Sequence, residues 1–135
     1  MKKYALDTVT ISYLLKEDPT VSARLKKESD AGNLLTIPLM AYYEVKRGLL
    51  AVQATRKMSN FERLCDTLGV GALGFDVLDR AAHIYANLRS AGRLIDDADI
   101  ILAAFCLVND CILVTDNVQH FDRIDSLQYE NWVIR

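Results

Sequence analysis

Hydrophobic positions along the chain alternate between short apolar runs and stripes of helical period. "YAL" ahead of Asp7 has the length of a strand, and residues 9–16, "VTISYLLK", continue as a helix. A second helix covers residues 20–31. Pro19 opens it, where a missing N–H costs nothing, and Gly32 with Asn33 closes it. "LLTI" follows as a strand, and Pro38 starts a helix through Ala54. Residues 56–68 form another helical stretch ending at Gly69, and "VGALGF" is a weaker strand. Asp76 caps a helix running to Ser90, with Gly92 as its stop. Residues 97–109 form the next helix, and "CILVT" at 111–115 is a β-branched strand. A short helical turn covers 117–121, and a last strand lies at 128–133.

Strands that alternate with helices predict an α/β fold whose parallel sheet is covered on both faces. The strands are continuous apolar runs, as burial on two faces requires. At 135 residues and 51% hydrophobic content the chain suits one domain, residues 1–135, with a real core, which excludes a disordered protein. A net charge of −2 selects no partner, so any basic footprint for nucleic acid is local. No apolar run reaches the roughly 20 residues that span a bilayer. "MKKYALDTVT" has too short an uncharged run for a secretory signal. Cys65, Cys106 and Cys111 are odd in number and lack metal-ligand spacing. They read as reduced thiols of a cytoplasmic protein, with Cys106 and Cys111 in the core.

In open parallel sheets the functional crevice lies outside the carboxyl ends of the strands. Asp7 directly follows the first strand there, and Asp116 directly follows "ILVT". Asp7 reads equally well as a helix N-cap, and Asp116 as a turn residue beside Asn117. Glu44 shares a helical stripe with Met40, Ala41, Gly48 and Ala51, so its carboxylate needs a partner, for which Arg47 at i+3 is available. Asp99 is sharper. In "LIDDADIILAA" it crowns a stripe of Leu102, Ala103 and Cys106 that faces the sheet, while Asp96 or Asp97 suffices to start the helix.

Two unit charges 4 Å apart repel by about 4 kcal/mol at an effective dielectric near 20. Several carboxylates in one crevice therefore need protons or cations. Oxygen ligands without His or Cys select Mg²⁺ or Mn²⁺, and acids around such an ion most often handle phosphates. His83 and His120 lack the spacing of a zinc site, and His83 reads as a helix-surface residue.

The stretches "YALDTVTISYLL", "IPLMAYYEVKRGL", "GRLIDDADIILAAF", "ILVTDNVQHFDRI" and "LQYENW" together resemble a PIN-domain ribonuclease, specifically a VapC-type toxin of a toxin–antitoxin pair. The resemblance spans the chain and keeps the family's order. It implies a three-layer α/β/α fold and a Mg²⁺- or Mn²⁺-dependent endoribonuclease, with a specific transfer RNA as the target of many related toxins. It also implies a small antitoxin partner and a homodimer. Carried over by motif, the metal-binding and catalytic acids are Asp7, Glu44 and Asp99, with Asp116 as the fourth. Two departures stand out. Val9 occupies the place of the family's usual Asn in "LDTN", which leaves Thr8 or Thr10 to take over its hydrogen bonding. Some members carry the last acid later, where this chain has His120.

Lys46 and Arg47 beside Glu44, and Arg89 and Arg93 before "DDAD", are the candidates for holding an RNA backbone, against a reading as ordinary solvated surface. Tyr13, Leu14, Leu49 and Leu50 are apolar positions suited either to core or to a groove for an amphipathic partner segment. Three rival functions remain at this level. An aspartyl phosphatase would use Asp7 as nucleophile, but Val9 occupies the second acid of D-x-D. A phospho-receiver domain would need a Lys after a late strand, which "ILVTDNVQ" lacks. A PIN-like module that only binds RNA or protein is the third.

Overall fold

A computed structural model describes residues 1–134. The elements run β1 (Lys3–Leu6), α1 (Thr8–Leu15), α2 (Pro19–Asp30), β2 (Leu34–Pro38), α3 (Leu39–Ala51), α4 (Thr55–Leu68), β3 (Val70–Gly71), α5 (Phe75–Ser90), α6 (Asp97–Asn109), β4 (Ile112–Val114), α7 (Val118–Phe121) and β5 (Tyr129–Glu130). Five strands form one sheet in the order β3-β2-β1-β4-β5, and every neighbouring pair is parallel. This is the three-layer α/β/α arrangement.

The pleat of β1 sorts its side chains between two cores. Ala5 faces α5 and α6 in a cluster with Val77, Ile84, Ala103, Phe105 and Leu113. Tyr4 and Leu6 face the other way, in a cluster with Ile37 of β2 and with Ile11, Val21, Val45 and Phe61 from α1 to α4. Tyr4, Ala5 and Leu6 are at most 1% exposed, so β1 is covered on both faces, which is why its sequence is a plain apolar run. Cys106 and Cys111 are buried, and burial pushes both thiols up, Cys106 furthest. No helix among the described residues is long and apolar enough to cross a membrane.

Several expected elements change in detail. α5 begins at Phe75 with Gly74 as its N-cap, so Asp76 is a first-turn residue whose carboxylate accepts from the adjacent Val77 N–H at 2.9 Å. α3 ends at Ala51, because Gln53 takes a left-handed φ of 53° and turns the chain toward α4. Within "VGALGF" only Val70 and Gly71 pair with β2. A Cβ at Gly71 would stand 2.4 Å from Cζ of Phe105, so the ring of α6 packs directly on this backbone. The last strand shrinks from 128–133 to Tyr129–Glu130, after which Trp132 turns into the core against Tyr4 at 5.4 Å between ring centroids.

Candidate functional site

Parallel strands deliver their carboxyl ends to one edge, and the candidate acids arrive there by the shortest routes. The backbone N–H of Asp7 donates to the Val114 carbonyl at 3.0 Å, which ties the end of β1 to the end of β4. The Asp7 side chain accepts from the Thr10 N–H at 2.8 Å, so the residue is the N-cap of α1. The cap engages one oxygen but does not make the charge cheap. Asp7 is only 5% exposed. Burial pushes its carboxyl above the ordinary range, hydrogen bonds with Thr115 and Thr10 pull it back, and the charge of Asp116 pushes it up again. Asp7 and Asp116 are thus brought together, Asp116 following Thr115 at the end of β4.

Glu44 reaches the same edge from α3. Its Oε1 accepts from Thr8 Oγ1 at 2.8 Å, which links it to the residue beside Asp7. Arg47 Nη2 lies 3.9 Å from Oε2, a loose form of the expected i+3 pair. The expected burial of the Glu44 stripe is only partly realised. Ala41 is buried, but Gly48 and Ala51 are exposed, because Ala41 and Val45 carry the contact with the core. Glu44 instead borders a groove of about 260 Å³ that Thr8, Ser12, Lys16 and Lys57 also line.

Asp99 lies in the first turn of α6, above Leu102, Ala103 and Cys106, all buried. Asp96 holds the N-cap position without a side-chain cap bond, and the dipole of α6 favours the acids of its first turn. The partner of Asp99 is His120, whose Nδ1 stands 2.9 Å from Oδ2. Asn117 contacts the same Nδ1 at 2.8 Å and anchors its own N–H on Thr115 Oγ1 at 3.0 Å. Asn117 and His120 therefore join Asp99 to the chain that carries Asp116.

As these side chains stand, no three His, Cys, Asp or Glu groups among the described residues are near enough to share one ion. Glu44 is turned to Thr8, and Asp99 to His120. Of the two hydroxyls expected to replace the Asn lost at Val9, Thr8 donates to Glu44, while Thr10 donates to the Val114 carbonyl and its side chain also interacts with Asp7. The His120–Asn117 pair was the part missed by reasoning from sequence. Its signal was the N-x-x-H spacing across one helical turn. Among the basic candidates, Lys46 lies 4.0 Å from Glu62 and over the Tyr42 ring, and Arg47 lies over Tyr43. Arg89 and Arg93 are exposed.

The family model described as PIN domain matches residues 4–127. The chain belongs to the PIN-domain family. This PIN domain is 29% identical over 136 residues to "Ribonuclease VapC1" of Haemophilus influenzae strain R2866, covering 96% of this chain and 97% of that protein. It is 24% identical over 133 residues to "Ribonuclease VapC2" of Rickettsia felis. Among solved structures it is similar to VapBC-1 from nontypeable Haemophilus influenzae, with a TM-score of 0.85 at 27% identity over 96% of this chain and 98% of that one. A TM-score of 0.90 relates it to VapBC2 from Rickettsia felis bound to a promoter DNA fragment, where 21% identity speaks for the fold alone.

Proposed function

We propose that this PIN domain is a divalent-metal-dependent endoribonuclease and the toxin of a cytoplasmic toxin–antitoxin pair. One observation carries the reading. Asp7, Glu44, Asp99 and Asp116 all reach the carboxyl edge of the sheet, in a chain similar from end to end to ribonucleases named VapC.

The donor set fits a small hard cation. It offers only carboxylate oxygens, and Asp7 is a buried acid whose charge calls for a proton or a cation. Asp7, Glu44, Asp99 and Asp116 would hold Mg²⁺ or Mn²⁺. When bound, the cation supplies an acidified water and neutralises charge at a phosphodiester. Glu44 and Asp99, now bonded to Thr8 and His120, would have to release those partners or offer their second oxygens to join the set. A carboxylate left without a metal bond accepts the proton of the attacking water. Lys46, Arg47, Arg89 and Arg93 are assigned to the RNA backbone, with a transfer RNA as the substrate to try first.

The antitoxin would take the apolar surface of α3 and α4. Leu49, Leu50 and Met58 line a cavity of about 560 Å³ there, and Leu50 is 60% exposed. Tyr13 and Leu14, like Leu49 and Met58, are partly buried against the core. A partner's arginine entering the acid cluster would block it by charge. A homodimer is part of the same proposal.

The test is incubation of antitoxin-free protein with total RNA and with transfer RNA, under Mg²⁺, Mn²⁺ or EDTA. Cleavage that requires metal and disappears in Asp7→Asn supports the reading. RNA left intact under both metals refutes it, and RNA binding without cleavage then favours a binding module.

A further inference from the structure

The contacts of His120 go beyond a surface ion pair. Its Nδ1 lies 2.9 Å from Asp99 Oδ2 and 2.8 Å from Asn117 Nδ2. A carboxylate oxygen only accepts, so the first contact requires a proton on Nδ1. Asn117 then meets that proton with its carboxamide oxygen, the end that accepts, after the half-turn that exchanges its oxygen and nitrogen. Both contacts are satisfied at once only with Nδ1–H shared between Asp99 and Asn117. The backbone is built for this. Asn117 is the N-cap of α7, and the His120 N–H donates to the Asn117 carbonyl at 3.2 Å. That one turn folds the imidazole back over the start of α6. Asp99 is 21% exposed and His120 36%, so the bond is partly shielded from solvent.

We infer that His120 is a positioning residue for Asp99: its Nδ1–H occupies Oδ2 and presents the other oxygen to a divalent cation. The assignment rests on the metal-dependent reading proposed above. Hydrogen-bond partners behind metal ligands fix ligand orientation, and their loss typically weakens metal affinity by roughly ten- to a hundredfold. His120 is accordingly not itself a ligand through Nδ1, because that nitrogen is engaged.

Two measurements on RNA-free protein test this. The first needs no metal. Nitrogen-15 spectra of the imidazoles at alkaline pH, in a His83→Gln background that leaves one histidine, should show His120 with its proton on Nδ1. Asp99→Ala should move it toward the Nε2–H form that free imidazole prefers. The second is Mn²⁺ titration by calorimetry, with thermal melts in EDTA to check folding. His120→Phe keeps a ring but removes the donor, and should lose roughly ten- to a hundredfold in Mn²⁺ affinity. His120→Asn puts an amide N–H on the same Cγ and should recover most of it. Wild-type affinity in His120→Phe overturns the inference. So does failure of His120→Asn to recover binding while both variants melt like wild type, since the imidazole would then be a direct ligand. A His120 proton on Nε2 in the wild type overturns it even if Mn²⁺ binds. Wild-type protein that keeps the Nδ1 proton yet binds no Mn²⁺ overturns the metal reading instead, and the inferred role falls with it.

Discussion

Asp7 is at once a helix cap and a buried charge, and two substitutions separate the roles. Asn retains an oxygen for the Thr10 N–H, 2.8 Å away, and caps about as well as Asp. Ala removes the cap, at a cost of about 1 kcal/mol. At about 2.1 cal/mol/K per residue, a chain of 135 residues unfolds with an entropy of about 0.28 kcal/mol/K. One kcal/mol therefore moves Tm by about 3.5 °C, and Asp7→Ala should melt about 4 °C below Asp7→Asn. The charge gives the comparison with wild type its sign. Burial holds the Asp7 carboxyl above its unfolded value, so the folded protein binds this proton more readily than the unfolded chain does. Stability is lost as pH rises from the ordinary carboxylate range through the raised Asp7 value, and the penalty is complete above it. Metal-free wild type should therefore melt below Asp7→Asn at neutral pH, and the gap should close on acidification. Circular-dichroism melts in EDTA from pH 8 downward provide the assay. Equal melting of wild type and Asp7→Asn at neutral pH, or parallel pH profiles, would refute the argument and leave Asp7 as a cap alone.

Mg²⁺ at a hundredfold excess over its dissociation constant should stabilise wild type by about 2.7 kcal/mol, or about 10 °C in Tm, and Asp7→Asn and Asp99→Asn should lose most of that gain in the same melts. Gly71→Ala should overpack the Phe105 ring, whose Cζ would lie 2.4 Å from the new Cβ, and lower stability by about 1–3 kcal/mol. Phe105→Leu should cost less in the Gly71→Ala background than in wild type, a coupling that a double-mutant cycle by urea unfolding measures. Cys106 is 1% exposed and its thiol is pushed well up, so native protein should not alkylate there, while half-buried Cys65 reacts first. Mass spectrometry of an iodoacetamide time course, with and without urea, checks this order.

Much of the fold was written in local pattern. A run such as "YAL" or "ILV" has one stable home, the middle of a sheet covered on both faces, and the helical stripes between such runs leave parallel order as the simple solution. The placement of Asp7, Asp116 and Asp99 was legible for the same reason. Each lies within a turn of a strand end or a helix start, so local register fixes its position. The short ends of the sheet were not legible. β3 stops at Gly71, on which the Phe105 ring packs, and β5 stops at Glu130, two residues before Trp132 meets Tyr4; Phe105 and Tyr4 are both distant in sequence from the residues they meet. Nor could the sequence decide which partner each acid takes. Glu44 has Arg47 three residues away, yet its shorter bond is to Thr8, 36 residues distant, and Asp99 meets His120, 21 residues on. A hydrogen bond depends on separations of a few tenths of an ångström, which hydrophobic period does not encode. Those distances exist only once β1, β4, α3 and α6 have packed and carried the side chains to one edge.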